Sequence, residues 1–379
     1  VKGAPGTSGP APPEELREWL ALLRVGGIGP ALFHALIGRF GSPGRVLAAP
    51  PTQLRAAGLT DGVVAGVGAV DWAAVDRDMA WASTADRHIL TLHDPAYPPL
   101  LRQIHPSPPL LFVVGDLSCL ALPQLAIVGS RNPTPSGRRD AESFARQLAR
   151  HVTVTSGLAY GIDAAAHRGA LAAGAKTLAV AGNGLDRVYP ARHATLAREI
   201  AGQGALVAEL PPGTPPRAEH FPRRNRVIAG LSLGTLVVEA AVRSGSLITA
   251  RHAMEFGREV FALPGSIHNP LARGCHALIR DGAKLTERVE DILEELGPLA
   301  WATWEPAGPP QPPAADLDPE YSRLLDELGY APSGVDALVE RTGLTAQAVS
   351  SMLLILELRG KVASTPGGLY TRVTDEVSS

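Results

Sequence analysis

The sequence predicts an α/β protein: a Rossmann-like parallel sheet, with an N-terminal helical domain of SAM or helix-hairpin-helix type and a C-terminal winged-helix domain. Three observations predict it. From Leu125 onward, short apolar runs alternate with helical patterns, the texture of a parallel sheet covered on both faces. Between Glu14 and Ala85 the apolar residues recur at helical spacing instead. Beyond Gly297 a Pro/Ala-rich stretch, Pro306 to Pro319, is too poor in bulky apolar residues to fold and sets off two last helices and a Gly-rich hairpin.

Length and composition agree. A chain of 379 residues exceeds one ordinary core, so two or three domains are expected. The boundaries read as a tail over 1–13, a helical domain over 14–90, a sheet domain over 91–297, a linker over 298–320 and a winged helix over 321–375. A hydrophobic content of 45% with 19% charged residues fits a water-soluble protein, and no apolar run is long enough to cross a bilayer. The first thirteen residues lack the basic-then-apolar order of a signal peptide. Cys119 and Cys275 make neither a disulfide framework nor a metal-ligand spacing, so no metal or cofactor is expected and a reducing cytoplasm is the expected location. The net charge of -2 leaves nucleic acid open as a partner, because a basic patch can hide in a neutral total. Lysine is confined to Lys2, Lys176, Lys284 and Lys361, so any anion site is built from forked guanidinium groups.

Taken in order, two amphipathic helices meet at Val25-Gly26-Gly27-Ile28-Gly29-Pro30. Such a turn either aims backbone N–H groups at a phosphate or closes a plain helical hairpin, and no basic residue close after Pro30 favours the first. A proline-studded connector over His93 to Pro109 leads to a short strand, Leu110 to Val114. The sheet strands follow: Leu125 to Val128, Val152 to Ser156, Thr177 to Ala181, Leu206 to Glu209, Thr235 to Glu239 and Val260 to Leu263. In the last unit, helices near Ser333 to Arg341 and Thr345 to Arg359 flank a Thr342-Gly343 turn, and Gly360 to Tyr370 makes the hairpin. The second of these helices is poor in basic groups and serves a protein contact or a weak DNA contact equally well.

In an open parallel sheet, the loops at the carboxyl ends of the strands bind ligands. Gly129-Ser130-Arg131 closes the first such strand with a tight turn, a hydroxyl and a guanidinium. Ser156 and Gly157, with Gly161, bracket a loop that opens a helix carrying Asp163 and His167 four residues apart on one face. That pair reads either as an acid/base or site-orienting pair or, more simply, as a carboxylate stabilised by the helix dipole and paired with an imidazole. Asp186 and Glu239 sit at further strand ends, where carboxylates more often hold loops than do chemistry. Phe221-Pro222-Arg223-Arg224-Asn225-Arg226 reads either as a surface-exposed basic helix start or as a loop that sets three arginines and an amide beside an aromatic ring. Single-stranded nucleic acid needs that combination: charge for the backbone and a π-face for a base. Ser244, Gly245, Ser246 and Thr249 form another small-residue loop suited to phosphate or ribose. No nucleophile elbow, Walker loop, zinc spacing or complete dinucleotide fingerprint accompanies them, so no catalytic residue is assigned.

As an ordered set, these motifs resemble the DNA-processing protein A family (DprA, also called Smf). The resemblance rests on Gly129-Ser130-Arg131, Ser156-Gly157 with Gly161-Ile162-Asp163 and His167, Gly184-Leu185-Asp186 with Tyr189-Pro190, and Phe221-Pro222-x-Arg224-Asn225-Arg226. Val238-Glu239-Ala240, Ser244 to Ala250, Pro264-Gly265, Leu278-Ile279 and Gly282-Ala283 continue it, over roughly Leu92 to Leu296. One departure stands out: His276 occupies a turn where the family usually has Asn. The resemblance implies a bacterial protein that protects single-stranded DNA and loads the RecA recombinase on it in natural transformation. It also implies a homodimer built through the sheet domain and no established turnover. Carried over by residue, the DNA pocket would use Arg131 and the Phe221 to Arg226 segment, shaped by Gly129, Gly157 and Gly161, with the outer modules as candidates for duplex DNA. The rival expectation is a nucleotide hydrolase of the lysine decarboxylase-like group, in which Glu239 would act at a ribosyl bond; the Pro-Gly-Gly-x-Gly-Thr run of that group is missing.

Overall fold

The computed structural model describes residues 12–301, 319–329, 333–358, 362–365 and 369–372. Most of the expected tail and linker lies outside them, although helix occupies both ends of the 298–320 segment, up to Trp301 and again from Pro319. The chain forms two compact units, Val1–Pro306 and Ala307–Ser379.

The first unit begins with six helices, α1 (Pro13–Arg24), α2 (Pro30–Phe40), α3 (Pro43–Leu47), α4 (Pro51–Ala56), α5 (Asp61–Gly68) and α6 (Trp72–Ala82). Proline opens the first four, where its missing N–H costs no helical bond and its fixed φ suits the first turn. The Val25–Pro30 turn joins α1 to α2 as the corner of a helical hairpin, with Val25 and Ile28 buried. Trp19, Leu22, Phe33 and Leu36 share a core with Leu110 and Phe112 of the sheet, so the helical segment packs directly on strand β2.

The sheet has nine strands: β1 (Arg87–Thr91), β2 (Leu110–Gly115), β3 (Gln124–Val128), β4 (Thr153–Ser156), β5 (Thr177–Ala181), β6 (Ala205–Ala208), β7 (Gly234–Val237), β8 (Glu259–Ala262) and β9 (Lys284–Leu285). Between them run α7 (Pro99–Gln103), α8 (Pro135–Leu148), α9 (Ile162–Ala172), α10 (Ala194–Gln203), α11 (His220–Leu231), α12 (Ser246–Glu255) and α13 (Arg273–Arg280), followed by α14 (Val289–Trp301). The strand order is β1-β2-β6-β5-β4-β3-β7-β8-β9. Pairing from β6 through β9 is parallel, whereas β2 joins β6, and β1 joins β2, antiparallel. Period-two alternation explains why the strands are apolar throughout. Leu125 and Ile127 of β3 face one core, while Ala126 and Val128 face the other.

The second unit contains α15 (Pro319–Leu328), β10 (Ser333–Gly334), α16 (Val335–Thr342), α17 (Ala346–Leu358), β11 (Val362–Thr365) and β12 (Leu369–Arg372). Gly343 ends α16 in the left-handed region at φ 70, as a helix stop requires. Leu324, Leu338, Val349, Leu353 and Val362 close its own core, in a winged-helix arrangement with the three-stranded order β10-β12-β11.

Candidate nucleic-acid interface

The strand order fixes where a ligand can enter. From β3 the chain steps outward through β4, β5 and β6, then returns to the other side of β3 with β7 and β8. The switch point between β3 and β7 leaves a crevice beyond the strand ends, the usual binding place in open α/β sheets. An open cleft of about 680 Å³ lies there, and Gly129, Ser130 and Arg131 after β3 line it together with Ser244, Gly245, Ser246 and Thr249 at the start of α12.

Two turns are held by backbone bonds: Ser130 N donates to the Glu239 carbonyl at 2.6 Å, and Ile162 N donates to the Ser130 carbonyl at 3.1 Å. Gly161 sits at φ 79, and a Cβ there would lie 2.3 Å from the Ser130 carbonyl oxygen, so only glycine allows α9 to start against this turn. At Gly157 the constraint is space. A Cβ would fall 1.6 Å from Arg224 Nη1, which means the guanidinium rests on the bare Cα of the β4 loop.

Of the two expectations for the Phe221–Arg226 segment, the backbone takes the helical one, because it is the first part of helix α11. Helical spacing then separates its side chains. Phe221, Arg224 and Asn225 face the cleft, whereas Arg223 and Arg226 do not line it. The Arg131 guanidinium lies over the Phe221 ring, 5.7 Å from its centroid, and Tyr189 tilts against the same ring at 5.5 Å. Arg224 is only 6% exposed and donates from Nη1 to the Val180 carbonyl at 3.0 Å. Burial lowers its pKa to about 10, opposed by the charge of Asp163. Asn225 Nδ2 donates to the Gly245 carbonyl at 3.1 Å, tying α11 to the loop before α12. Arg226 is committed to Glu209 and to the Pro106 carbonyl in a half-buried cluster, and Arg223 points to a small separate recess beside Glu209.

The carboxylates act as fasteners. Asp163 is buried and accepts from the N–H groups of Gly157 and Ala159 at 3.2 and 3.3 Å. Burial pushes its carboxyl above the ordinary range, against the pull of Arg224 and these two donors. His167 turns away from it. Its Nδ1 lies 2.8 Å from Thr177 Oγ1, and burial, with further help from His193 and Arg224, lowers its pKa to about 3. The two side chains do not pair with each other: Asp163, in the first turn of α9, holds the loop after β4, and His167 serves Thr177. Asp186 accepts from Gly213 N at 2.7 Å and pairs with Arg187. Glu239 accepts from Thr134 N at 2.8 Å and Thr134 Oγ1 at 2.7 Å, just before α8, and from Asn269 Nδ2 at 3.3 Å. Ser156 donates to the Ile127 carbonyl at 2.6 Å and is wholly buried, which spends its hydroxyl on joining β4 to β3.

Sequence reasoning passed over Arg217, which lines the cleft from a proline-rich approach to α11 that carries no motif, and assigned no role to Tyr189. His276 lies in helix α13 rather than in a turn, and its Nε2, 3.0 Å from the Gly265 carbonyl, ties that helix to the loop after β8. Among the described residues no group of three or more His, Cys, Asp or Glu side chains could hold a metal ion.

With this geometry in hand, comparison with known proteins is informative. The family model for DNA recombination-mediator protein A matches residues 88–297, that for a DprA-like N-terminal HHH domain matches 13–71, and that for the DprA winged helix domain matches 308–368. Protein Smf of Escherichia coli is 46% identical over 305 residues, 79% of this chain and 81% of its own. DNA processing protein DprA of Streptococcus pneumoniae is 48% identical over 203 residues, 54% of this chain and 72% of its own. The solved structure of DprA from Streptococcus pneumoniae superposes with a TM-score of 0.66 at 36% identity, covering 74% of this chain and 97% of that one. A structure of DNA processing protein A from Helicobacter pylori, described for its single-stranded DNA binding mode, gives 0.51 at 28% identity over 55% of this chain and 95% of that one.

Proposed function

The chain belongs to the DNA processing protein A (DprA/Smf) family, and from that premise we propose that it holds single-stranded DNA in the cleft at the switch point and passes it to a RecA-type recombinase in natural transformation. One observation carries the DNA reading: the Arg131 guanidinium lies over the Phe221 ring at the edge of an open cleft. Charge beside an aromatic face is what an unpaired strand recognises without regard to sequence. The hydroxyls of Ser130, Ser246 and Thr249 and the start of α12 add partners for phosphate and sugar oxygens. The buried Arg224 and Asp163 set the floor beneath them, and Asn225 braces the wall. The family likeness supports the finer parts of the proposal, namely a homodimer built through the sheet domain, a recombinase as recipient of the strand, and binding rather than turnover as the task.

A nucleotide hydrolase would need the Glu239 carboxylate at the reacting bond. Both of its oxygens are instead engaged, one with Thr134 N and the other with Thr134 Oγ1 and Asn269, which supports the binding reading. Release of free base from a nucleoside monophosphate would reverse that preference.

The test is single-stranded DNA affinity against salt for the wild type, Arg131→Ala, Arg217→Ala and Phe221→Ala. Each arginine change is expected to flatten the log–log salt slope by about 0.7, the contribution of one phosphate contact. Phe221→Ala is expected to cost about 1–3 kcal/mol at an unchanged slope. Wild-type binding by all three variants would move the site elsewhere.

A further inference from the structure

Beside the cleft stands an aromatic ring that the DNA reading above does not use. Ala159 lines the cleft, and the next residue, Tyr160, is 42% exposed. The ring is held out by a constrained backbone. Leu158 adopts φ 59, uncommon for any residue but glycine, while its side chain stays buried, and Gly161 follows at φ 79. The Asp163 carboxylate takes the N–H groups of Gly157 and Ala159, and the Leu158 carbonyl lies 2.9 Å from His193 Nδ1. With Ile162 N donating to the Ser130 carbonyl on the other side, the loop is pinned before and after Tyr160, whose ring meets the buried His193 edge-on at 5.0 Å. The residue before His193 is Arg192, exposed on the surface and without an ion pair among the described residues.

We propose that Tyr160 and Arg192 form a second subsite for single-stranded DNA outside the cleft, the ring stacking on a base and the guanidinium meeting a phosphate. The inference rests on the cleft reading and extends it. Its composition repeats that of the first subsite, an aromatic ring and an arginine, here with the ring more exposed than the half-buried Phe221, and rigid presentation lowers the ordering cost of stacking. One short segment connects the two places: Tyr189 touches Phe221, and His193 touches Tyr160. Their Cα atoms are four residue steps apart, at most about 14 Å.

The experiment compares the full-length wild type, Tyr160→Ala, Tyr160→Trp, Arg192→Ala and Phe221→Ala on oligothymidylates, from strands just long enough to fill the cleft to strands several times longer. Tyr160→Ala is expected to bind short strands like the wild type and to lose between about five-fold and 150-fold on long ones. Arg192→Ala should weaken long-strand binding alone and lower its salt slope by about 0.7. Tyr160→Trp should keep wild-type affinity at both lengths, since it preserves a stacking face. The second subsite is overturned if both alanine variants bind long strands like the wild type, or if Tyr160→Ala weakens short and long strands equally, which would place the ring inside the first site. Phe221→Ala separates the two readings: wild-type behaviour on short strands there sinks the cleft assignment, whereas a loss there beside an unaffected Tyr160→Ala and Arg192→Ala sinks the second subsite alone.

Discussion

His167 shows how far burial can move one side chain from its sequence-level reading. It lies four residues after Asp163, close enough on a helix for a pair, yet its imidazole is fully buried and turned to Thr177, with Nε2 lacking a protein partner. A charged ring there would have no water, and its pKa falls from 6.5 to about 3. The unfolded chain therefore binds the extra proton between these two values, so this stabilising contribution is complete above the unfolded value and is lost as the pH falls toward the folded one. Asp163 has the opposite sign: its carboxyl is raised in the fold, so its contribution is greatest below the ordinary carboxylate value and declines as the pH rises through the raised one. His167→Gln isolates the first effect. In urea unfolding between pH 4 and pH 7, the wild type is expected to lose stability relative to the variant as the pH falls, with a slope approaching about 1.4 kcal/mol per pH unit. Parallel profiles for the two proteins would show that the imidazole is not held neutral by the fold.

Helix α8 depends on a residue from a distant strand end. Thr134 caps it by accepting from Gly137 N at 3.0 Å, and Glu239, just after β7, secures Thr134 through two further bonds. A carboxylate at a helix start is favoured both by the orphan N–H groups and by the helix dipole. Glu239→Gln keeps the shape but removes the charge and one accepting oxygen. We expect it to cost about 1–2 kcal/mol in chemical denaturation, and unchanged stability would disprove the fastening role. The strands around this point were legible because each is a short apolar run closed by a turn residue. Helix α11 was legible only as one of two readings. It has no Ser, Thr, Asp or Asn at its start, no side-chain cap, and a proline at its third position, all of which favour a loop. In a first helical turn, however, proline gives up only an N–H that no helical carbonyl would accept. Once the segment is helical, three neighbouring arginines must diverge, and their fates depend on partners from other elements: Gly157 for Arg224, Glu209 for Arg226. Sequence order carries no trace of those encounters. The antiparallel edge was half legible, since β2 alternates cleanly between two apolar faces, whereas β1 is a mixed segment, Arg87-His88-Ile89-Leu90-Thr91, without a strand's regular pattern.

At the scale of the whole chain, the buried side chains fall into separate cores. Those around the sheet and under the first six helices involve residues up to Leu296, and that of the winged helix begins at Leu324, with no buried residue in common. Domains with their own cores fold on their own. The cleft and the Tyr160 loop lie wholly in the first unit, and the chain's net charge of -2 supplies no general attraction for a polyanion. DNA affinity should then come from local arginine and aromatic groups rather than from the molecule's overall field. A chain ending at Pro306 is accordingly expected to unfold cooperatively and to bind short single strands with full-length affinity and an unchanged salt slope. Titration calorimetry on both forms would check it. A lower slope in the shortened chain, by about 0.7 or more per lost phosphate contact, would instead place part of the strand on the winged helix. The scarcity of basic groups on α17, whose described sequence carries no Lys or Arg, argues for the first outcome.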